Sequence, residues 1–254
     1  MHLIATTRKN LHQPDTMIWD LMNPIPQFPI QAGDTVVFAA AVTTIEACEK
    51  DPGKARRVNV EAVAEMAHLC ARRYARLVFL SSSAVFDGNR PFPAENDTPC
   101  PITVYGRTKA EAEAMIKDSG CPYVILRLTK ILHPAHGYLA KTLAALARKK
   151  KVYASSKIRL APISLNWAID AIVRSLSFKS SQVLHISSRT DCDYYNIAKR
   201  IAKAYGYPMN LIAKKEPIFP SNGPALMTKY AALSATYTAH RLNLNLPSWQ
   251  EALK

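Results

Sequence analysis

The chain has 254 residues, 48% of them hydrophobic, and a formal net charge of +14, so it is long and apolar enough to bury a full core and is not a disordered polymer. Its longest apolar-leaning run, Thr35 to Ile45, is shorter than the roughly 20 residues that span a bilayer, and the N-terminus carries no signal-like apolar segment. No membrane association and a cytoplasmic location are therefore expected, and five scattered cysteines without a C-x-x-C argue against a disulfide framework or a zinc site.

A basic balance of this size suits nucleic acid, acidic membranes or phosphorylated metabolites. The densest cluster, Arg148-Lys149-Lys150-Lys151, closes an apolar-periodic segment, where cations meet a helix C-terminus favourably. No zinc-finger spacing or aromatic-interleaved basic stretch accompanies it, so nucleic acid is not an expected partner.

In chain order, Thr35–Ala39 reads as a buried strand. Lys54 to Tyr74 carries two adjoining apolar rows at helical spacing and predicts one helix about 20 residues long. Arg76–Ser81 is the next strand. Phe86 to Val104, with prolines 91, 93, 99 and 101, reads as a surface loop. A helix follows from Tyr105 to Lys117, then a strand at Tyr123–Leu128. Beyond it the pattern predicts helices near 138–149, 166–178 and 193–205, short strands near 183–187 and 209–213, and a proline-rich stretch at 217–224. Short apolar runs alternating with amphipathic helices describe an α/β protein with a doubly wound parallel sheet. It reads as a single domain, with a core over 1–130 and a mainly substrate-binding lobe over 131–254.

The sharpest chemical signal is Tyr105-Gly-Arg-Thr-Lys109, because residues four apart on a helix share a face. An ammonium one turn from a phenol is expected to lower the tyrosine pKa and make it a usable acid/base. Upstream, a strand ends in Ser81-Ser82-Ser83, and hydroxyls at the C-terminal edge of a parallel strand lie where such sheets place ligands. His133-Pro-Ala-His136 could suggest a metal, but lacks the further ligands a metal site needs, so no metal is expected.

Taken together, the segments D-T-V-V-F-A-A-A-V-T, R-V-N-V-E-A-V, R-L-V-F-L-S-S-S-A-V-F-D-G, V-Y-G-R-T-K-A-E-A-E and the C-terminal L-P-S-W-Q-E-A-L resemble the dTDP-4-dehydrorhamnose reductase family of extended short-chain dehydrogenases. The resemblance implies a Rossmann-type fold and reduction of a nucleoside-diphosphate sugar. Tyr105 would protonate the keto oxygen, Lys109 would hold the nicotinamide ribose, and Ser82, with Ser83 as the fallback, would bind the same oxygen. Ala40 and Ala41 would contact the cofactor through their backbone, Asn59 would steady the neighbouring strand, and Asp20 would touch adenine. Arg8 and Lys9, at the end of the implied second strand, would favour NADP (NADPH) over NAD. His133, Lys157 and Arg159 would face the substrate.

The resemblance has gaps. Ser82-Ser83-Ala84 is closer to nucleotide-sugar epimerases than to the family's usual Thr-Asp-Tyr, and Leu226-Met-Thr-Lys-Tyr230 replaces an arginine-containing segment. A glycine-rich phosphate loop is missing, since the first glycine is Gly33. Either the start is truncated and the sheet is split where its first strand belongs, or the N-terminal strand has slid into that slot and left a degenerate cofactor site. An enzyme, a reductase or an epimerase/dehydratase relative, is the leading expectation and a non-catalytic sugar-nucleotide or cofactor-binding regulatory protein of the same fold the alternative; a nucleotide sugar is the expected partner, and the chain could form a homodimer.

Overall fold

The structure, a computed structural model, describes residues 4–8, 15–216 and 228–253. The calls on Lys9, on the proline-rich 217–224 and on Leu226 lie outside them. Two short strands, β1 (Ala5–Thr7) and β2 (Thr16–Ile18), pair in parallel with one another. A parallel sheet of order β10-β5-β4-β3 follows, built from β3 (Thr35–Phe38), β4 (Arg76–Ser82), β5 (Tyr123–Leu128) and β10 (Gln182–Ile186). Among the described residues β1 and β2 pair with no strand of that sheet, so the sheet is split and the N-terminal strand has not moved into the central slot. Trp19, just after β2, spans the split by setting its ring edge-on to Phe38 at 5.9 Å.

Helices cover both faces. Between β3 and β4 run α1 (Ile45–Lys50), α2 (Pro52–Arg56), a π-helical turn (Arg57–Glu61) and α3 (Ala62–Arg72). The expected single helix thus starts two residues early and is interrupted by a wide turn at Asn59. The aspartate at 51 caps α2 and Pro52 occupies its first turn, where a missing N–H costs nothing. α4 (Val104–Asp118) lies between β4 and β5, and α6 (Leu165–Ser175) between β5 and β10. α3 and α4 bury Met66, Ala112 and Ile116 against Leu77, Phe79 and Ile125, while α6 and α8 (Thr236–Leu242) pack on Val78, Val124 and Leu184. Strands covered on both faces carry uninterrupted apolar runs, as Leu77–Leu80 of β4 and Tyr123–Leu126 of β5 do.

A separate apolar cluster forms the rest of the C-terminal half. It joins α5 (Gly137–Ala147) and α7 (Tyr194–Ala204) to β7 (Val152–Ala154) and β12 (Ile212–Lys214) through Leu139, Leu146, Ile197 and Ile201. The last of these strands begins only after a 3-10 turn at Met209–Leu211. Small pairings absent from the periodicity complete it: β6 (Lys130–Leu132) with β9 (Pro162–Ser164), and β8 (Arg159–Leu160) with β11 (Cys192–Asp193). The proline-containing segment after β4 is only partly a surface loop, since Phe86, Pro93 and Thr103 are buried.

Candidate active site

Tyr105 and Lys109 both belong to α4, whose start is fixed twice: Thr103 Oγ1 accepts the Gly106 N–H at 3.0 Å, and Glu49 accepts the Val104 N–H at 2.8 Å. β4 ends opposite, in a 3-10 turn (Ser83–Val85) whose cap is Ser82, which accepts the Ala84 N–H at 3.1 Å. Gly106 lets the two meet, because a Cβ there would stand 2.1 Å from the Ala84 carbonyl oxygen. The result is a half-buried Tyr105 phenol beside the Ser82 side chain, close enough for the serine to influence its titration.

Lys109 is 2% exposed. Its Nζ donates to the Leu80 carbonyl at 2.6 Å and lies 3.9 Å from the centre of the Phe79 ring. Burial pulls this ammonium down to about 7, with the Glu113 carboxylate, one turn further along α4, opposing. Burial likewise raises the Tyr105 phenol above its ordinary value, and the nearby Ser82 side chain opposes only in part. The expected lowering of the tyrosine pKa by its lysine is therefore corrected: the lysine is turned to a carbonyl and its own ammonium is destabilised by burial, while desolvation dominates at the phenol. A phenol held protonated at neutral pH is a proton donor.

Asn59 lies in the π-helical turn, fully buried. It accepts the Val42 N–H at 2.8 Å, donates to the Val42 carbonyl at 3.0 Å and donates to Thr108 Oγ1 at 3.1 Å. One side chain thereby ties the segment after β3, which carries Ala40 and Ala41, to the helix of Tyr105. Those alanines stand at the C-terminal end of β3, Ala40 exposed and Ala41 half-buried.

The remaining sequence candidates are dispersed or already partnered. Arg8 is exposed just beyond β1, and Asp20, after β2, accepts the Met22 N–H at 3.0 Å in a local turn. Ser83 is half-buried one residue past Ser82. His133 and His136 stack at 5.4 Å in the turn before α5, and His133 Nδ1 accepts the Ala135 N–H. Lys157 is exposed and paired with Glu216 at 2.7 Å. Arg159 is engaged by Asp191 at 2.6 Å, with Asp193 at 3.9 Å, so its charge is already neutralised.

The whole chain, residues 1–254, matches the family described as the RmlD substrate binding domain. The chain belongs to that family. A curated relative, the dTDP-4-dehydrorhamnose reductase of Burkholderia thailandensis, is 25% identical over 98% of this chain and 87% of its own length. Two solved structures share the RmlD-family fold. MoeE5 in complex with UDP-glucuronic acid and NAD superposes with a TM-score of 0.82 at 18% identity, covering 98% of this chain and 87% of that one. The dTDP-4-dehydrorhamnose reductase of Bacillus anthracis in complex with NADP gives 0.78 at 21% identity over 96% and 89%.

Sequence reasoning missed two buried charged residues behind Tyr105 and Lys109. Arg127 and Glu113, each 1% exposed, meet in a two-pronged ion pair with a closest approach of 2.7 Å, and Ser81 donates to Glu113 Oε1 at 2.6 Å. Two signals pointed to them. Tyr105, Lys109 and Glu113 form a row at spacing four, and Arg127 is a lone cation inside an otherwise apolar strand, which requires a buried partner.

Proposed function

We propose that the protein is an NAD(P)-dependent reductase of a nucleoside-diphosphate sugar, in which Tyr105 delivers the proton to the substrate's keto oxygen. The observation that carries this reading is the placement of the Tyr105 phenol beside Ser82 at the C-terminal end of β4, with the buried Lys109 one helical turn away. Ser82 orients the accepting oxygen beside the phenol. The names of the relatives, two of them dTDP-4-dehydrorhamnose reductases, support the substrate class.

The fit to a dinucleotide is one-sided. Tyr105, Lys109 and Ser82 suit its nicotinamide end, where the bound cofactor supplies a hydride. The pyrophosphate end lacks a match among the described residues: the glycines that closely approach another group are Gly88 and Gly106, which meet Thr228 and Ala84 of the protein itself. Arg8, at the end of β1, favours NADPH over NADH through the extra phosphate.

The test is Tyr105→Phe. Reduction of dTDP-4-dehydrorhamnose should fall by about 10²–10⁴-fold, the usual contribution of a positioned acid, with circular dichroism unchanged. Parallel titrations should give tighter binding of NADPH than of NADH. Full activity in the variant rejects the assignment of the acid, and wild-type protein that binds neither dinucleotide rejects the enzyme.

A further inference from the structure

Three successive residues of β4 each face a residue of α4, two of them through hydrogen bonds. The Leu80 carbonyl takes the Lys109 ammonium at 2.6 Å, the Ser81 hydroxyl donates to Glu113 at 2.6 Å, and Ser82 meets Tyr105. Glu113 is also held by Arg127 of β5, whose Nε and Nη2 both donate to it. Arg127 is fixed in turn by the Glu95 carbonyl at 3.3 Å and the face of Phe86 at 5.0 Å. The carboxylate therefore links β4, α4 and β5 directly beneath the two residues that carry the proposed chemistry.

We propose that Glu113 is the positioning residue of this site: by accepting the Ser81 hydroxyl while clamped by Arg127, it sets the end of β4 in the register that Ser82 and Lys109 both require. The inference rests on the enzyme reading above for its kinetic consequences, but not for its geometry. A buried ion pair adds little net stability over well-packed apolar residues of similar volume, so its effect belongs in placement rather than in holding the fold. The charged and titratable groups around Lys109 are few. Its own helix supplies Glu113 and Tyr105, β5 supplies Arg127, α1 supplies Cys48 near the phenol, and β4 offers hydroxyls and a carbonyl.

The decisive variant is the apolar pair Glu113→Leu with Arg127→Met, which removes both charges together and leaves no buried charge unpaired. Urea unfolding should find it at least as stable as wild type. Its kcat with NADPH and dTDP-4-dehydrorhamnose should nevertheless drop roughly tenfold or more at nearly unchanged KM, as expected when an acid is misplaced rather than substrate binding lost. Glu113→Gln with Arg127→Met, which restores an acceptor for the Ser81 hydroxyl, should recover much of that loss. Ser81→Ala, which keeps the ion pair, should lower kcat several-fold. A lysine-labelled carbon NMR titration should show the Lys109 midpoint moving to lower pH in the apolar pair, since the neighbouring carboxylate is gone. Wild-type kcat together with an unmoved midpoint in a stable apolar pair overturns the proposal. If wild-type protein does not turn over, the enzyme reading falls alone, and the Lys109 midpoint by itself upholds or overturns the role of Glu113.

Discussion

His185 has two ring nitrogens and two neighbours of opposite character. Its Nδ1 lies 2.9 Å from the Ser234 carbonyl, which can only accept, and its Nε2 lies 3.4 Å from Arg127 Nη1, which can only donate. The network therefore assigns the neutral ring with its proton on Nδ1. Burial first, and the adjacent guanidinium second, push the imidazole down to about 3. The unfolded ring takes a proton near 6.5 and the folded one refuses it until about 3, so acid binds the unfolded state preferentially. Stability is retained above pH 6.5 and lost as pH falls toward 3, at about 1.4 kcal/mol per pH unit from this residue. Urea unfolding at pH 7 and pH 5 should show wild type losing about 2 kcal/mol more than His185→Gln. Equal losses would place the source of acid sensitivity elsewhere.

At the scale of elements, the site depends on how closely α4 approaches the end of β4. Helix propensity alone says that Gly106→Ala should stabilise α4 by about 1 kcal/mol. The structure reverses the sign: the new methyl would sit 2.1 Å from the Ala84 carbonyl and 3.0 Å from Pro101, and the former is backbone that cannot rotate away. Overpacking of this kind costs about 1–3 kcal/mol, and α4 must move outward, carrying Tyr105 from Ser82. Both a lowered thermal midpoint and a reduced kcat are expected, and a variant stabilised in line with propensity would show that the contact is not tight. The π-helical turn at Arg57–Glu61 is a second such device. It inserts a wider turn in the helical run, and the buried Asn59 within it reaches both Val42 and Thr108.

Across the whole molecule, order follows the split in the sheet. β4 and β5 lie inside a sheet clad on both faces, with Leu77, Val78, Phe79, Val124, Ile125 and Leu126 fully buried. The β1–β2 pair consists of two three-residue strands, and Ile18 within it is 53% exposed. A two-stranded ribbon is marginal without further strands. Hydrogen exchange should therefore be much faster for amides of Thr6, Thr7 and Met17 than for those of Val78, Phe79 and Ile125, and comparable protection would mean that the pair is supported by more than Trp19.

The periodicity of Arg76–Ser81 and Tyr123–Leu128, and the spacing of Tyr105 from Lys109, were legible because strand, helix and same-face relations are local and repeat at two or 3.6 residues. The family resemblance came from the same local segments. Charge state was not legible, since the phenol of Tyr105 and the ammonium of Lys109 respond to burial, and burial is decided by residues far away along the chain. The same holds for Arg159, whose pairing with Asp191 joins positions 32 apart, and for Glu113 and Arg127, which meet only once α4 packs across β4 and β5. Which residues line up on one helix face was written in their spacing. Whether the Tyr105 phenol stays protonated, and what sets it beside Ser82, was settled by packing, because desolvation and hydrogen bonding depend on the full set of neighbours that folding brings together.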